Sequence, residues 1–342
     1  MGYYTGKDLN YYYFLASNFA TSDRWFQPVM TRTHPNREYL YAATSQGDVY
    51  PVGTNTADAK RLTAKTIFQD LKNASLSWKI YVNPGNSCPT PYTPSCLLKL
   101  SYIRFFVWGQ SIPANFPNNI APMSQYFTDV KNGTLPRVAF IEPATNVGLD
   151  EHPSVIDTQK SNVQQGAKYV SSLINALMCP TVSNNTCTPS VSWKDSVFIL
   201  TFDESGGLYD HVPAQSTVNS PPQPTQNPDG IVPKDLMPGD WCNPSTGQIT
   251  TGTCDFVYTG YRVPLIVVSP FTKAHYVSHT TADLTAILKL IETRFKLPNL
   301  TKRDAEQMDM TEFFDFTNPP WMVPLVPPAQ TTTGMCYLNS LP

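Results

Sequence analysis

Residues 196–213 read SVFILTFDESGGLYDHVP and indicate which fold the chain adopts. The first seven of them form a near-continuous apolar run, which is typical of a strand covered on both faces in a parallel sheet. A second run of this kind, VPLIVVS, occupies residues 263–269. Apolar residues with helical spacing occur at 163–177 and 284–295. This alternation predicts an α/β fold with a mostly parallel central sheet sandwiched between helices.

The remaining segments extend the same alternation. Helices are predicted at 9–20, 35–43 and 65–72, strands at 25–30, 77–82 and 138–142, and an extended aromatic run at 102–108. A proline-rich, cysteine-containing loop insertion is predicted at 213–260. The 342 residues are then interpreted as one domain rather than two.

The composition excludes several classes of protein. Only 15% of the residues are charged and 41% are hydrophobic, so the chain is not a disordered, charge-rich polypeptide. With 24 basic and 26 acidic residues, the net charge of −2 offers no general attraction to nucleic acid. No apolar run is long enough to predict a transmembrane segment. A serine-hydrolase elbow, a Walker loop and a G-x-G-x-x-G motif are all missing from the sequence.

Cysteines and sequons point to an oxidising compartment. The seven cysteines form three close pairs and one remainder: Cys88 with Cys96, Cys179 with Cys187, Cys242 with Cys254, and Cys336. Local disulfides within these pairs are the simplest connectivity, and reduced buried thiols are the alternative. N-glycan sequons occur at Asn73, Asn132, Asn184 and Asn299. We therefore expect a secreted protein, whose signal peptide is not part of this chain.

A dense polar cluster follows the strand at 196–202. Asp203 and Glu204 are adjacent acids at its end, and His211 follows a few residues later. Adjacent carboxylates at a buried strand end are costly unless a cation or hydrogen-bond donors compensate them. Carboxylate oxygens suit a divalent metal ion, and His211 could bind substrate or metal. A solvated turn with no ligand is the alternative interpretation.

Thr33 and His152 are further candidates. Thr33 lies where a short strand gives way to a helix, and the start of a helix favours an anion such as phosphate. Its hydroxyl is either a nucleophile activated by a metal ion or an ordinary helix N-cap. His152 lies in a polar loop after the strand at 138–142, where it could protonate a leaving oxygen. A surface histidine without a role is the alternative.

Five motifs in order resemble a family of phosphoesterases that includes bacterial non-haemolytic phospholipases C and certain acid phosphatases, within the alkaline-phosphatase-like superfamily. They are THPNR at 33–37, EP at 142–143 with DEHP at 150–153, TFDESGGLYDHVP at 201–213, YRVPLIVVSPF at 261–271 and LPNLTKRDA at 297–305. The resemblance covers most of the chain. It implies an alkaline-phosphatase-like fold and hydrolysis of a phosphate ester, with a phospholipid as one candidate substrate.

The resemblance also implies roles for individual residues. Thr33 matches the nucleophile, and Asp203 and Glu204 match ligands of a divalent metal ion, which Thr33 would also contact. The resemblance leaves the identity of this metal open, with Ca, Mg, Mn and Zn as options. His152 and His211 match residues on the phosphate and leaving-group side. Asn36 and Arg37 belong to the same motif as Thr33 and are candidate substrate-binding residues.

One motif of the family is missing. The resemblance implies an E-N-x-S-F-D type motif near the N terminus, which would supply two more metal ligands, and the sequence does not contain it. We therefore expect the domain to be N-terminally incomplete. The alternative function is that of a non-catalytic secreted binding protein whose metal site is incomplete. Sulfatase or nucleotide pyrophosphatase chemistry is a further option within the superfamily, but the sulfatase motif C-x-P-x-R is missing too.

Overall fold

The computed structural model of the protein describes residues 3–48, 62–152, 162–215 and 258–333. Most of the predicted insertion at 213–260 lies outside these residues, as do Cys242, Cys254 and Cys336. Within the described ranges the helices are α1 (Asn10–Asn18), α2 (Thr33–Ala42), α3 (Ile67–Asn73), α4 (Pro94–Leu98), α5 (Ile112–Asn115), α6 (Met123–Asn132), α7 (Val163–Met178), α8 (Thr285–Phe295) and α9 (Lys302–Ala305).

The predicted helices form, and α2 and α7 show why. The side chain of Asn162 accepts hydrogen bonds from the first backbone N–H groups of α7, and Ala167, Ile174 and Leu177 are buried on one face. α2 begins at Thr33 and not at Pro35 as predicted. Pro35 lies in the first turn of α2, where its missing N–H would have had no partner within the helix.

The strands of the described residues are β1 (Ala20–Ser22), β2 (Trp25–Phe26), β3 (Trp78–Val82), β4 (Ile120–Pro122), β5 (Val138–Ile141), β6 (Thr181–Ser183), β7 (Thr186–Thr188), β8 (Phe198–Thr201), β9 (Leu265–Val268), β10 (Tyr276–Ser278) and β11 (Ala282–Asp283). They form a three-stranded parallel sheet in the order β4-β3-β5, a four-stranded sheet in the order β10-β1-β9-β8, and two small pairs. Four of the seven strand pairings in this part of the chain are parallel.

The pairing of β8 with β9 differs from the expectation of a parallel arrangement. The two strands are antiparallel, with Phe198 opposite Val268 and Thr201 opposite Leu265. A continuous apolar run reports burial on both faces and carries no information about strand direction. The α/β class is confirmed, but the expectation that these two strands run parallel is wrong.

Helices cover both faces of the strands, as predicted. In β9, Ile266 and Val268 pack into a core with α1, α6 and α7, while Leu265 and Val267 pack into a core with the start of α8. β3 divides its side chains in the same way, since Tyr81 joins the first core and Ile80 joins a core with α2 and α3. Each fully buried aliphatic side chain contributes roughly 1.5–3 kcal/mol.

The aromatic segment at 102–108 is not extended, so that prediction is wrong. Tyr102–Phe105 forms a 3₁₀ turn, and a second turn follows at Gly109–Ser111. The side-chain oxygen of Ser101 accepts a hydrogen bond from the backbone N–H of Ile103, which caps the first turn. Aromatic and β-branched residues favour strands only where a partner strand is present, and this segment has none in the sheets above.

Two of the predicted disulfides are confirmed. Cys88 bonds to Cys96, and Cys179 bonds to Cys187. The asparagines of all four sequons are exposed, which is compatible with glycosylation. Glycosylation itself stays a prediction of the sequence. A search of the described helices finds none with the length and apolar character needed to span a membrane.

Candidate active site

The start of α2 meets the carboxyl end of β8. Oε1 of Glu204 accepts a hydrogen bond from the Thr33 hydroxyl at 2.7 Å and another from the Thr33 backbone N–H at 3.0 Å. Arg32 occupies the N-cap position and makes no side-chain capping hydrogen bond, so the acid from β8 satisfies this helix terminus instead. Thr33 is therefore the first helical residue and not the N-cap considered in the sequence. The structure brings Thr33 and Glu204 into direct contact.

Arg37 lies one turn further along α2 and joins the ends of two strands. Its Nη2 is 2.5 Å from Oε2 of Glu142, at the end of β5. Its Nη1 is 3.8 Å from Oδ2 of Asp203, at the end of β8. The guanidinium also lies over the ring of Tyr102, 4.7 Å from the ring centroid. Thr33 and Arg37 are four residues apart, so they lie on the same face of α2.

Glu142 is the main anchor of Arg37, and sequence reasoning assigned it no role. Its carboxylate is buried. Besides Arg37, Oε1 accepts hydrogen bonds from the Tyr41 hydroxyl at 2.5 Å, the Ser101 hydroxyl at 2.6 Å and the Tyr102 backbone N–H at 3.3 Å. The available signal was a carboxylate at the last position of the predicted strand at 138–142. Its partners come from distant segments of the chain, which no local pattern indicates.

Asp203 lies in an unfavourable electrostatic environment. Burial raises the pKa of Asp203 above its ordinary value, the Arg37 guanidinium opposes this shift, and the adjacent Glu204 adds to it. A buried carboxyl with a raised pKa beside a second acid fits a divalent cation, which relieves their repulsion. With the Thr33 hydroxyl they present oxygen atoms only, the ligand type that hard cations prefer. In the described residues, however, no group of three His, Cys, Asp or Glu side chains is arranged to hold a metal.

His152 approaches this cluster from the loop after β5. Nδ1 of His152 is 2.8 Å from Oδ2 of Asp150, a carboxylate that sequence reasoning assigned no role. This contact fixes the orientation of the imidazole ring. The charge of His152 reaches Asp203, since it opposes the rise in the pKa of that carboxyl. The loop therefore holds a histidine with an orienting acid within electrostatic range of Asp203.

Asn36 and His211 are placed differently from the other candidates. The side chain of Asn36 is buried and binds backbone groups of Val29, Thr31 and Arg32, so it shapes the turn that precedes α2. The side chain of His211 is 78% exposed, and its Nδ1 lies 3.8 Å from Oδ1 of the neighbouring Asp210. Among the described residues, neither side chain forms a hydrogen bond with Thr33, Asp203 or Glu204.

His34 directly follows Thr33 and turns away from it. The imidazole packs against Tyr102 and Phe105, with ring centroids 5.1 and 4.9 Å apart. Burial lowers the pKa of His34 to about 4, and the charges of Arg104 and Arg37 contribute to this shift. His34 is therefore neutral at physiological pH and forms part of the wall beside Arg37.

Glu151 connects the loop of His152 to α1 and α7. Tyr12 of α1 donates its hydroxyl hydrogen to Oε1 of Glu151. The Glu151 backbone is left-handed, with φ at +68°. A Cβ on Gly166 of α7 would overlap Cγ of Glu151, so this position in α7 requires glycine. Burial raises the pKa of Glu151 to about 8, the Tyr12 hydrogen bond opposes the shift, and the charge of Asp150 adds to it.

Glu151→Gln is expected to flatten the pH dependence of stability between about pH 4.5 and 8. The folded-state pKa lies above the ordinary value of 4.5. The folded protein therefore holds more protons than the unfolded chain in this window, and the free energy of unfolding falls as pH rises. Glutamine does not ionise, so relative to wild type the variant gains on the order of 2–4 kcal/mol across the window. Urea unfolding at both pH limits measures this, with exposed Glu306→Gln as the control. Parallel curves for wild type and Glu151→Gln would contradict it.

In this site a hydroxyl, several carboxylates and a guanidinium lie close together at the start of one helix and the ends of two strands. Such an arrangement is typical of α/β proteins that bind phosphate groups. Comparison with known proteins gives the family. The sequence model of the Phosphoesterase family matches residues 1–298, and the chain belongs to this family.

Named relatives and a solved structure give further similarities. Phospholipase C B of Mycobacterium tuberculosis (strain ATCC 25618 / H37Rv) is 30% identical over 363 residues, covering 100% of this chain and 60% of the relative. Non-specific phospholipase C5 of Arabidopsis thaliana is 31% identical over 310 residues, covering 85% of this chain and 48% of the relative. The chain thus spans 48–60% of the length of these curated relatives. A protein in the alkaline phosphatase superfamily from Vibrio parahaemolyticus superimposes with a TM-score of 0.42 at 9% identity, covering 85% of this chain and 61% of that protein.

Proposed function

We propose that this protein hydrolyses phosphodiesters, phospholipids among them, by attack of the Thr33 hydroxyl on phosphorus. The observation that carries this proposal is the contact between the Thr33 hydroxyl and the Glu204 carboxylate, with Arg37 one turn away. A nucleophile, a proton acceptor and a cationic group for phosphate are thereby assembled at one helix terminus. The names of the relatives support a phosphodiester rather than a monoester as substrate.

In the first step, Oγ of Thr33 forms a bond to phosphorus, and the bond from phosphorus to the leaving oxygen breaks. The hydroxyl proton moves to Oε1 of Glu204, which already accepts a hydrogen bond from it. His152, held by Asp150, gives a proton to the leaving oxygen, so an alcohol departs. The product of this step is a phosphoryl ester of Thr33.

In the second step, water attacks the phosphorus of this ester. His152, now neutral, takes a proton from the water, and Glu204 returns its proton to Oγ of Thr33 as the bond to phosphorus breaks. Arg37 and the N–H groups at the start of α2 neutralise negative charge on the phosphoryl oxygens in both steps. Each residue ends the cycle in its starting protonation state, and a phosphomonoester is released.

Asp203, Glu204 and the Thr33 hydroxyl are the residues that would hold a divalent metal ion. When bound, such an ion supplies neutralisation of phosphoryl charge and a lower pKa for a bound hydroxyl. The raised pKa of Asp203 beside Glu204 supports this assignment. The identity of the metal stays open among Ca, Mg, Mn and Zn.

Hydrolysis of p-nitrophenyl phosphorylcholine, bis-p-nitrophenyl phosphate and p-nitrophenyl phosphate tests the proposal. We expect turnover of a diester about tenfold or more above that of the monoester. We also expect a chelator to lower turnover about tenfold or more, and added divalent metal to restore it. No turnover of any ester, with any of the four metals, would overturn the proposal and favour the non-catalytic binding protein.

The two disulfides are typical of proteins outside the reducing cytosol and support the predicted secretion. Secretion and N-glycosylation themselves stay predictions of the sequence.

A further inference from the structure

Exposed apolar and aromatic side chains collect on three loops next to Thr33. Met30, three residues before Thr33, is 56% exposed, and Tyr209, in the loop after Glu204, is 71% exposed. We define the rim surface as these two residues and three other exposed ones, namely Leu208, Tyr258 and Tyr261. Single exposed apolar residues are ordinary, but a group of them beside one site is typical of an interaction surface.

Hydrogen bonds hold the three loops together around the buried side chain of Gln27. The backbone N–H of Gln27 donates to the carbonyl of Tyr261 at 2.9 Å, and the N–H of Gly260 donates to the carbonyl of Gln27 at 2.8 Å. The N–H of Ser205 donates to Oε1 of Gln27 at 2.9 Å. These bonds fix the loops of Met30, Tyr209 and Tyr261 relative to one another.

An ion pair adds a second link between the loops. Arg262 binds both carboxylate oxygens of Asp210, at 2.8 and 2.6 Å. Since Asp210 directly follows Tyr209 and Arg262 directly follows Tyr261, this pair fixes two parts of the rim surface. The exposed side chains are therefore presented by a bonded framework.

The sheet topology places the rim surface at the same end of the protein as the candidate active site. β9 is antiparallel to β8, so the segment that precedes β9 lies at the carboxyl end of β8, where Asp203 and Glu204 are found. Tyr258 and Tyr261 belong to that preceding segment. A partner bound to the rim surface would thus lie at the end of the protein where Asp203 and Glu204 are found.

We propose that the rim surface inserts into the headgroup region of a phospholipid bilayer, so that the protein takes its substrate from an aggregated lipid surface. Tyrosine is favoured at this depth because its ring is apolar and its hydroxyl stays hydrated. Exposed Arg32, between Met30 and Thr33, can contact lipid phosphate. The net charge of −2 gives no general attraction to a membrane, so apolar insertion has to supply the binding. This inference rests on the proposed function for the nature of the substrate.

The matched control lies at the opposite end of the sheet's strands. The backbone N–H of Trp321 donates to the carbonyl of Pro270, which follows the carboxyl end of β9. The neighbouring Met322 and Val323 are 47% and 62% exposed, similar to the residues of the rim surface. M30S/Y209S and M322S/V323S therefore remove comparable exposed apolar area from the two ends of the protein.

Sedimentation with large unilamellar vesicles of phosphatidylcholine measures membrane binding without reference to catalysis. We expect M30S/Y209S to lower the partition coefficient about tenfold and M322S/V323S to leave it within about twofold of wild type. Circular dichroism and thermal melting should be unchanged, since all four side chains are exposed. Equal partition of the two variants, or no sedimentation of wild type, would overturn the inference.

Hydrolysis provides an independent comparison. M30S/Y209S is expected to lower the release of phosphomonoester from vesicles about tenfold while turnover of soluble p-nitrophenyl phosphorylcholine stays within about twofold. Equal losses on both substrates would contradict a membrane-binding role. A wild-type protein that binds vesicles through the rim surface but hydrolyses no ester would refute the proposed function and support the inference. If the wild-type protein hydrolyses the soluble ester but the two variants partition equally into vesicles, the membrane-binding inference is refuted and the proposed function stands.

Discussion

Thr33→Ala is expected to lower kcat for phosphodiester hydrolysis about 10⁴-fold or more and to abolish a phosphoryl adduct on the protein. Alanine keeps the helical position but removes the oxygen that is placed 2.7 Å from Oε1 of Glu204. Removal of a covalent nucleophile leaves only the contributions of substrate binding and charge neutralisation. Intact-mass analysis of acid-quenched reactions, together with steady-state kinetics on a soluble diester, measures both effects.

Thr33→Ser is the matched control, because serine keeps a hydroxyl at the same position. We expect it to retain the adduct and to lower kcat by no more than about tenfold, since the hydroxyl is no longer fixed by a β-branched side chain. Loss of the hydrogen bond to Glu204 in Thr33→Ala costs about 1 kcal/mol, so the alanine variant should remain folded. An alanine variant that kept kcat within tenfold of wild type would remove Thr33 from its proposed role.

The residues that sequence reasoning placed in the site are those next to predicted element boundaries. Asp203 and Glu204 directly follow β8, and Thr33 begins α2, so the topology of an α/β sheet accounts for their proximity. Arg37 was a candidate because it belongs to the same motif as Thr33, and the helical repeat accounts for its position one turn from Thr33. These positions depend on local patterns of burial and spacing, which the sequence records.

The anchor of Arg37 could not be predicted in the same way. Glu142 receives hydrogen bonds from Tyr41 and Ser101, which are 101 and 41 residues away along the chain. Ser101 caps the 3₁₀ turn at residues 102–105, where the aromatic content suggested an extended segment. Tertiary contacts determine both the turn and the contact, and single-sequence propensities do not include them.

The direction of the strands could not be predicted from the sequence either. The apolar run that became β9 correctly indicated burial along the whole strand, but β8, at the edge of its sheet, is only half-buried at all four positions. The antiparallel pairing of β8 with β9 nevertheless determines where the rim surface lies. It brings the segment before β9, with Tyr258 and Tyr261, to the end of the protein where Glu204 lies.

Glu142→Gln is expected to lower kcat/KM about 10²-fold, mainly through kcat, and to lower the free energy of unfolding by about 3 kcal/mol. Glutamine has the shape of glutamate but no charge, so the guanidinium of Arg37 loses its ion pair at 2.5 Å in a buried position. If the Arg37 side chain shifts away from this position, it stabilises the negative charge that develops on the phosphoryl oxygens less strongly. Soluble-diester kinetics and urea unfolding measure the two effects.

A buried carboxylate elsewhere separates positioning from stability. Asp129 of α6 accepts hydrogen bonds from Lys79 at 2.7 Å and from the Tyr81 hydroxyl at 2.6 Å, so Asp129→Asn also removes a charge from a buried network. We expect it to lower stability by about 2 kcal/mol with kcat unchanged. A merely structural role for Glu142 predicts that both variants keep kcat in the folded protein.

Combination of Glu142→Gln with Arg37→Lys tests whether the carboxylate acts through the guanidinium. Lysine has no second nitrogen with which to contact Glu142 and Asp203 together, so the single variant should also lose about 10²-fold in kcat/KM. If Glu142 acts only by holding Arg37, the double variant loses little more than either single variant, because the interaction can be removed only once. Losses that multiply in the double variant would show that Glu142 affects catalysis by a route independent of Arg37.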